Sequence, residues 1–205
     1  CITHCPVAAL REYDETDAVF DAIADPEKIT VVQVAPAVRT AWGEAFGMSR
    51  QEATVRKMVA GIRKLGFDYV FDTSFAADVT IMEEGSEFLE RLSKGDLEKY
   101  PMFTSCCPGW VRFIKGQYPE MTDRLSTAKS PQQIFGAITK SYFAQVLGVP
   151  PEKIFAVSVM PCLAKKQEAA LPHMNDTGAA HDVDVVLTTR ELTRMLRAAQ
   201  VEVDQ

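Results

Sequence analysis

The sequence predicts an α/β fold: two lobes of mainly parallel β-sheet flanked by helices, with a site between the lobes at the carboxyl ends of the strands. Two observations predict this class. Short apolar runs rich in β-branched residues recur along the chain, and stretches with helical periodicity separate them. Strands that are buried on both faces have this nearly continuous apolar character, which is typical of parallel sheets covered by helices.

Local signals along the chain predict the individual strands and helices. The predicted strands are the runs 30–34, 69–71, 154–159 and 183–188, with a shorter fifth run at 102–104. One helix is predicted to open at the capping-box pair Ser49 and Glu52 and to end at Gly66. A second is predicted to open at Ser130, with Ile134, Ile138 and Tyr142 on its apolar face, and to stop at Gly148. A third begins at Thr189, and residues 171–181 are predicted to form a surface loop.

Composition excludes several functions. The chain has 205 residues, of which 47% are hydrophobic and 24% charged, so whole-chain disorder is excluded. Lys and Arg number 22 against 28 Asp and Glu, a net charge of −6 without a basic cluster, so no nucleic-acid partner is expected. No apolar run approaches the roughly 18 residues of a membrane span. Because the first residue is Cys1, no targeting segment can be read; we expect a cytoplasmic protein, with the periplasm as the open alternative.

The five cysteines are predicted to bind metal or to react as thiols. They are Cys1, Cys5, Cys106, Cys107 and Cys162. An odd number disfavours a simple disulfide framework, although a few buried structural cysteines remain the alternative. Adjacent side chains in an extended turn point to opposite sides, so Cys106 and Cys107 are expected to have different roles. A vicinal redox disulfide is a further, strained alternative.

Prolines and cysteines follow predicted strands at three places. The prolines are Pro36, Pro108 and Pro161, and the last two have cysteine beside them. Ligand sites of parallel α/β sheets lie beyond the carboxyl ends of strands. Backbone N–H groups at a helix start favour thiolate, the form that binds soft iron. Lys165, one turn past Cys162, could reach an anionic ligand there or could simply be solvated.

An acidic helical face is predicted upstream. Glu84, Glu87 and Arg91 are spaced i, i+3 and i+7 and therefore share one face of a helix. A solvated charged surface is one interpretation of this face. The other is a carboxylate relay that passes protons to a buried site.

Two motifs resemble signatures of the iron–iron hydrogenases. They are TSCCPGW at 104–110 and MPCLAKKQE at 160–168. The segments VAPAVR at 34–39 and FDTSFAAD at 71–78 are similar to the same family. The resemblance implies reversible reduction of protons to hydrogen at a six-iron cluster. That cluster is a 4Fe–4S cubane joined through cysteine to a diiron unit with CO, cyanide and a bridging dithiolate.

The resemblance also implies roles for individual residues. Cys107 and Cys162 would ligate the cubane, and Cys106 would hand protons to the dithiolate. The proton route would continue through Glu84, Ser126, Glu87 and Arg91. Lys165 would hydrogen-bond a cyanide, and the remaining pocket positions would be Pro36, Ala37, Gln132 and Met160, with Ala37 standing where many relatives have serine.

Domain organisation and partners follow from the same resemblance. Residues 1–10, with Cys1 and Cys5, would be the tail of a ferredoxin-like 4Fe–4S domain, and residues 28–205 a partial catalytic domain. A third, glycine-rich cysteine signature of the family is absent, so we expect a fragment that is inactive in isolation. The implied partners are ferredoxin or a similar carrier, H2 and protons, and maturation proteins. A non-catalytic iron–sulfur assembly relative and a hydrogen sensor are the alternatives.

Overall fold

A four-stranded parallel sheet organises the protein. The computed structural model describes residues 4–7, 9–10, 13–96 and 100–203. The strands are β1 (Ile29–Val34), β2 (Tyr69–Asp72), β3 (Ile154–Met160) and β4 (Val185–Thr188). Their order across the sheet is β2-β1-β3-β4, and every pairing is parallel. The α/β class and the positions of these four strands are therefore confirmed.

Helices cover the sheet. The α-helices are α1 (Thr16–Ala24), α2 (Pro36–Ala41), α3 (Val55–Lys64), α4 (Ser74–Ser93), α5 (Pro108–Gln117), α6 (Pro131–Ile138), α7 (Ala144–Leu147), α8 (Ala164–Ala169) and α9 (Thr189–Ala198). Short 3₁₀-helices lie at Trp42–Phe46, Pro119–Arg124 and Pro151–Lys153, and a π-helical turn at Thr139–Phe143 joins α6 to α7. Of the helices in the described ranges, none has both the length and the apolar character needed to cross a membrane.

The core lies on both faces of the two central strands. β1 and β3 are almost entirely buried because each pairs on both sides. The larger apolar cluster packs α1, α3 and α9 against them, with Trp42, Ile62 and Leu192 all fully buried. A smaller apolar cluster includes Phe135 of α6. This packing places the carboxyl ends of the strands, and the turns that follow them, at one edge.

Two local predictions were wrong. Ser49 and Glu52 do exchange the expected hydrogen bonds, but they close a turn, and α3 begins after the N-cap Thr54, whose hydroxyl accepts from Lys57 N. The 102–104 run is no strand of the sheet: Phe103 forms an isolated parallel bridge to Leu125. Within the described residues, all four strands belong to one sheet.

The buried face of α6 also differs from the prediction. Gln132, Gln133 and Phe135 point inward, whereas Tyr142 is 66% exposed. The reason is that the polar side chain of Gln132 bonds Ser158 of β3 and that the helix continues through a π-helical turn, so the apolar periodicity does not follow its contact surface. The last helix begins at Thr189 as predicted, and Thr188 and Glu191 form a capping box at its start.

Candidate functional site

The carboxyl ends of β1 and β3 meet at one edge of the sheet. Val34 lies opposite Val159, and the amide of Ala35 donates to the carbonyl of Val159 at 3.0 Å. Pro36 then begins α2, and its ring is exposed. Met160, the last residue of β3, is buried, and the half-buried Cys162 follows two residues later. These two strand ends therefore lie side by side, at the edge where parallel sheets place their ligand sites.

The turn that carries Cys106 and Cys107 has a different origin. It follows the Phe103 bridge, in which the amide of Phe103 donates to Arg124 O at 2.8 Å and Ser126 N donates to Phe103 O at 2.7 Å. Both cysteines are exposed. Cys107 is the N-cap of α5 and is followed by proline at the first helical position, as predicted.

Lys165 joins the two cysteine turns. Its backbone N–H donates to Cys162 O at 3.2 Å, and its Nζ donates to Cys106 O at 2.7 Å. Helix α5 packs against α8, and Arg112 donates to Gln167 across that contact. The alternative of a solvated lysine is wrong, because the side chain is 11% exposed and its ammonium is also paired with Glu168 at 2.9 Å. The turns of Cys107 and Cys162 are thus neighbours.

A buried polar network supports this junction, and the sequence interpretation missed most of it. Gln132 Nε2 donates to Lys165 O and to Glu168 Oε2, both at 3.2 Å. Its Oε1 accepts from Ser158 Oγ at 3.0 Å, and its backbone carbonyl accepts from Gln33 Nε2 at 2.9 Å. The network ends with Ser130 Oγ donating to Glu168 at 2.8 Å. One signal could have found it: Gln33 and Ser158 interrupt apolar strands, and buried polar groups need partners.

The predicted acidic face of α4 points at the segment 123–127. Ser126 Oγ donates to Glu87 Oε2 at 2.7 Å, and Thr127 N donates to the same oxygen at 3.0 Å. Arg91 pairs with Glu87 at 2.5 Å and also donates to Leu125 O at 2.9 Å. Burial alone would raise the pKa of Glu87, but the hydrogen bonds from Ser126, Thr127 and Arg91 outweigh it, so the pKa is lower than usual.

The same face connects the cysteine turn to solvent. Glu84 Oε1 accepts from the amide of Ser105, one residue before Cys106, at 3.4 Å. On the outer side, Glu87 lines an open cleft of about 610 Å³ together with Glu83, Glu90 and Lys129. A solvated surface is therefore an incomplete description: Glu84 contacts the turn, whereas Glu87 contacts both the protein interior and the cleft.

The potential metal ligands are sparse. Among the residues that the structure describes, no group of three or more His, Cys, Asp or Glu side chains could hold a metal ion. The turns that carry Cys107 and Cys162 adjoin through Lys165. Cys5 is half-buried, and Cys1 lies outside the described residues. Ala37 is exposed in the first turn of α2 and presents no side-chain donor.

Comparison with known proteins identifies the class. Residues 28–205 match the family described as "Iron only hydrogenase large subunit, C-terminal domain". The "NADP-reducing hydrogenase subunit HndD" of Solidesulfovibrio fructosivorans is 54% identical over 98% of this chain and 35% of its own length. An [FeFe]-hydrogenase of Chlamydomonas reinhardtii matches with a TM-score of 0.87 at 38% identity, over 94% of this chain and 49% of that one. These similarities define an oxidoreductase domain of hydrogenase type.

A relative of another kind is also similar. The "Cytosolic iron-sulfur assembly component 3" of Rattus norvegicus is 34% identical over all of this chain and 45% of its own length. This chain spans about a third to a half of the length of these relatives. The chain belongs to the iron-only hydrogenase large-subunit family. The resemblance read from the cysteine motifs is thereby confirmed, and hydrogen metabolism and iron–sulfur chemistry follow at the level of the family.

Proposed function

We propose that the whole protein containing this chain interconverts protons and molecular hydrogen at a six-iron cluster, with electrons from ferredoxin or another low-potential carrier. The observation that carries the proposal is the set of contacts leading from the Cys106 turn to an open cleft. Glu84 contacts the amide of Ser105, and Ser126 donates to Glu87, which lines the cleft. A thiol, two carboxylates and a hydroxyl are the groups that proton transfer requires.

The donor chemistry fits part of an iron–sulfur ligand set. Cys107 and Cys162 would supply two thiolates to the cubane, since their turns are joined through Lys165. When bound, the cluster supplies the metal and electrons with which protons combine. Cys1 and Cys5 would belong to a second 4Fe–4S cluster in residues 1–10, ahead of the catalytic domain proposed for 28–205.

The pocket residues would hold and enclose the cluster. The Lys165 ammonium would donate to an anionic cyanide ligand. Met160, Pro36 and Ala37 lie at the adjoining carboxyl ends of β3 and β1, where they would exclude water. Gln132 is buried, with its amide already bonded to Ser158 and Glu168, and it would keep the pocket wall in place.

Protons would move between the cleft and the cysteine turn through the side chains of this face. Glu87 would take a proton from the cleft and pass it to Ser126 Oγ, which would release its own proton toward Glu84 and then Cys106 Sγ. Because its pKa is lowered, Glu87 favours the ionised state and would hold a transferred proton only briefly. Arg91 would keep the Glu87 carboxylate aimed at Ser126.

Partners follow from this chemistry. Hydrogen turnover needs an electron carrier, and a cluster with CO and cyanide needs dedicated maturation proteins for its assembly. A cytoplasmic site of action is part of the proposal, with the periplasm as the alternative.

The test compares Cys106→Ser with Cys107→Ser in the whole, matured protein. We expect Cys106→Ser to keep the visible absorption of the cluster but to lower hydrogen evolution from reduced viologen by about 10²-fold or more, because the proton donor is lost. Cys107→Ser should lose the absorption as well. Unchanged turnover in Cys106→Ser would remove this thiol from the mechanism.

A non-catalytic role in iron–sulfur assembly is the second candidate, favoured by the 34% identity to the rat assembly component over the whole chain. Infrared spectra of the matured protein separate the two. Bands from metal-bound CO and cyanide would support the hydrogenase, and their absence after full maturation would support the assembly role.

A further inference from the structure

Glu168 is a buried carboxylate that the proposed reaction does not use. It is 5% exposed, and its side chain accepts hydrogen bonds from Ser130, Gln132 and Lys165 at 2.8 to 3.2 Å. A carboxylate removed from water is tolerated only when charge and hydrogen bonds compensate its lost hydration. Three donors from two helices provide that compensation, so the position of this carboxylate is closely determined.

The carboxylate in turn determines the direction of the Lys165 ammonium. An ammonium has three N–H donors. Lys165 Nζ lies 2.9 and 3.1 Å from the two oxygens of Glu168 and 2.7 Å from the carbonyl of Cys106. Of these three contacts, only the bond to Cys106 leaves the α8 helix.

That one bond supports the middle of the cysteine turn. On the N-terminal side of Cys106, the nearest backbone–backbone hydrogen bonds are those of Phe103. Between them, Ser105 Oγ donates to Ala128 O at 3.0 Å. On the C-terminal side of Cys106, the carbonyl of Cys107 accepts from Val111 N in the first turn of α5. Cys106 and Cys107 are both exposed, so packing contributes little to their placement.

We infer that Glu168 is a positioning residue that holds the Lys165 ammonium against the Cys106 carbonyl and so sets the directions in which the two neighbouring thiols point. The inference deepens the proposed function, on which its significance rests. The geometry that carries it belongs to the polypeptide alone and can be tested without the cluster.

The experiment measures amide hydrogen exchange by mass spectrometry in the full chain. In Glu168→Gln, we expect the peptide covering residues 104–108 to exchange about tenfold faster, because the neutral amide no longer orients Lys165. Exchange in β1 and β3 should change less than about twofold. Glu15→Gln is the matched control: Glu15 pairs at 2.7 Å with Lys166, the next residue of the same helix, and its loss should leave 104–108 unchanged.

A second variant tests whether Glu168 acts through Lys165. Lys165→Met should produce the same local increase, and the double variant should add nothing at 104–108. The double variant also removes both charges together, which guards against misfolding from one unpaired charge. Unchanged exchange at 104–108 in Glu168→Gln, an increase there no larger than in β1 and β3, or additive effects at 104–108 in the double variant would each overturn the inference.

These outcomes are separate from those for the proposed function. If exchange at 104–108 changes as expected but the protein has no hydrogen turnover, the positioning role is upheld and the hydrogenase assignment is removed. The opposite combination, with turnover present and exchange unchanged, would remove only the positioning role.

Discussion

The two cysteine turns carry similar motifs but are held by different forces. Cys162 follows β3, a seven-residue strand that pairs with β1 on one side and β4 on the other. The Cys106–Cys107 turn follows only the isolated bridge between Phe103 and Leu125, and a lysine side chain holds its centre. One turn is thus an extension of the sheet, and the other depends on tertiary hydrogen bonds.

A cysteine beside proline therefore does not by itself determine where its thiol lies. A central strand positions the Cys162 turn through many cooperative backbone bonds, so single substitutions should move it little. The Cys106 turn relies on a few side chains, so its order is sensitive to each of them. Such a turn can adjust to a ligand, which suits a residue proposed to move protons.

The largest expected effect comes from removing the link between the turns. Lys165→Met leaves Glu168 buried without its counter-charge, and we expect the free energy of unfolding to fall by about 3 to 5 kcal/mol. Urea denaturation measures it. Lys153→Met, at an exposed pair with Glu27 3.0 Å away, is the control and should change stability by under about 1 kcal/mol. An equal loss of stability in Lys165→Met and Lys153→Met would show that the link between the turns is no stronger than a surface ion pair.

A smaller effect is expected inside the sheet. Ser158→Ala removes the donor to Gln132 Oε1 and leaves that oxygen unpaired in a fully buried position, so stability should fall by about 1 to 3 kcal/mol. Hydrogen exchange at 104–108 should stay unchanged, because the damage lies on the β3 side. Ser141→Ala, at an exposed serine that bonds Ala137 O, is the matched control and should lie within about 0.5 kcal/mol of the parent. Faster exchange in the cysteine turn of Ser158→Ala would contradict the separation of the two regions.

The smallest effect is a pH dependence at the acidic face. Glu87 has a lowered pKa in the folded protein, so its carboxylate stabilises the fold above its ordinary pKa of about 4.5, and this contribution disappears as the pH falls through the folded value. Glu87→Gln should therefore be less stable than the parent at pH 7, with the difference shrinking below about pH 4.5. Thermal melts between pH 7 and 3 measure this, with the exposed Glu83→Gln as control. A difference that stays constant with pH would show that the charge of Glu87 is unimportant for stability.

Much of the fold could be predicted from the sequence because the strands β1 and β3 are central in the sheet. The runs 30–34 and 154–159 are apolar since both faces and both edges of β1 and β3 are covered. The 102–104 run looked similar but is only a bridge, because its apolar side chains pack on helix α5, where Phe103 contacts Trp110 at 5.7 Å between ring centres. Short apolar runs do not distinguish a strand from a packed loop.

Some features of the candidate site could likewise be predicted from the sequence, and others could not. The spacing of Glu84, Glu87 and Arg91 on one helix follows from helical geometry, so the sequence determined that they share a face. Likewise, the motifs around Cys107 and Cys162 determined the family. The sequence could not determine that Lys165 bonds the carbonyl of a residue 59 positions away, or that Glu168 is its partner and neighbour of Ser130. Those contacts join separate helices and arise only when the sheet brings them together, because a hydrogen bond depends on distances of a few tenths of an ångström that no local pattern encodes.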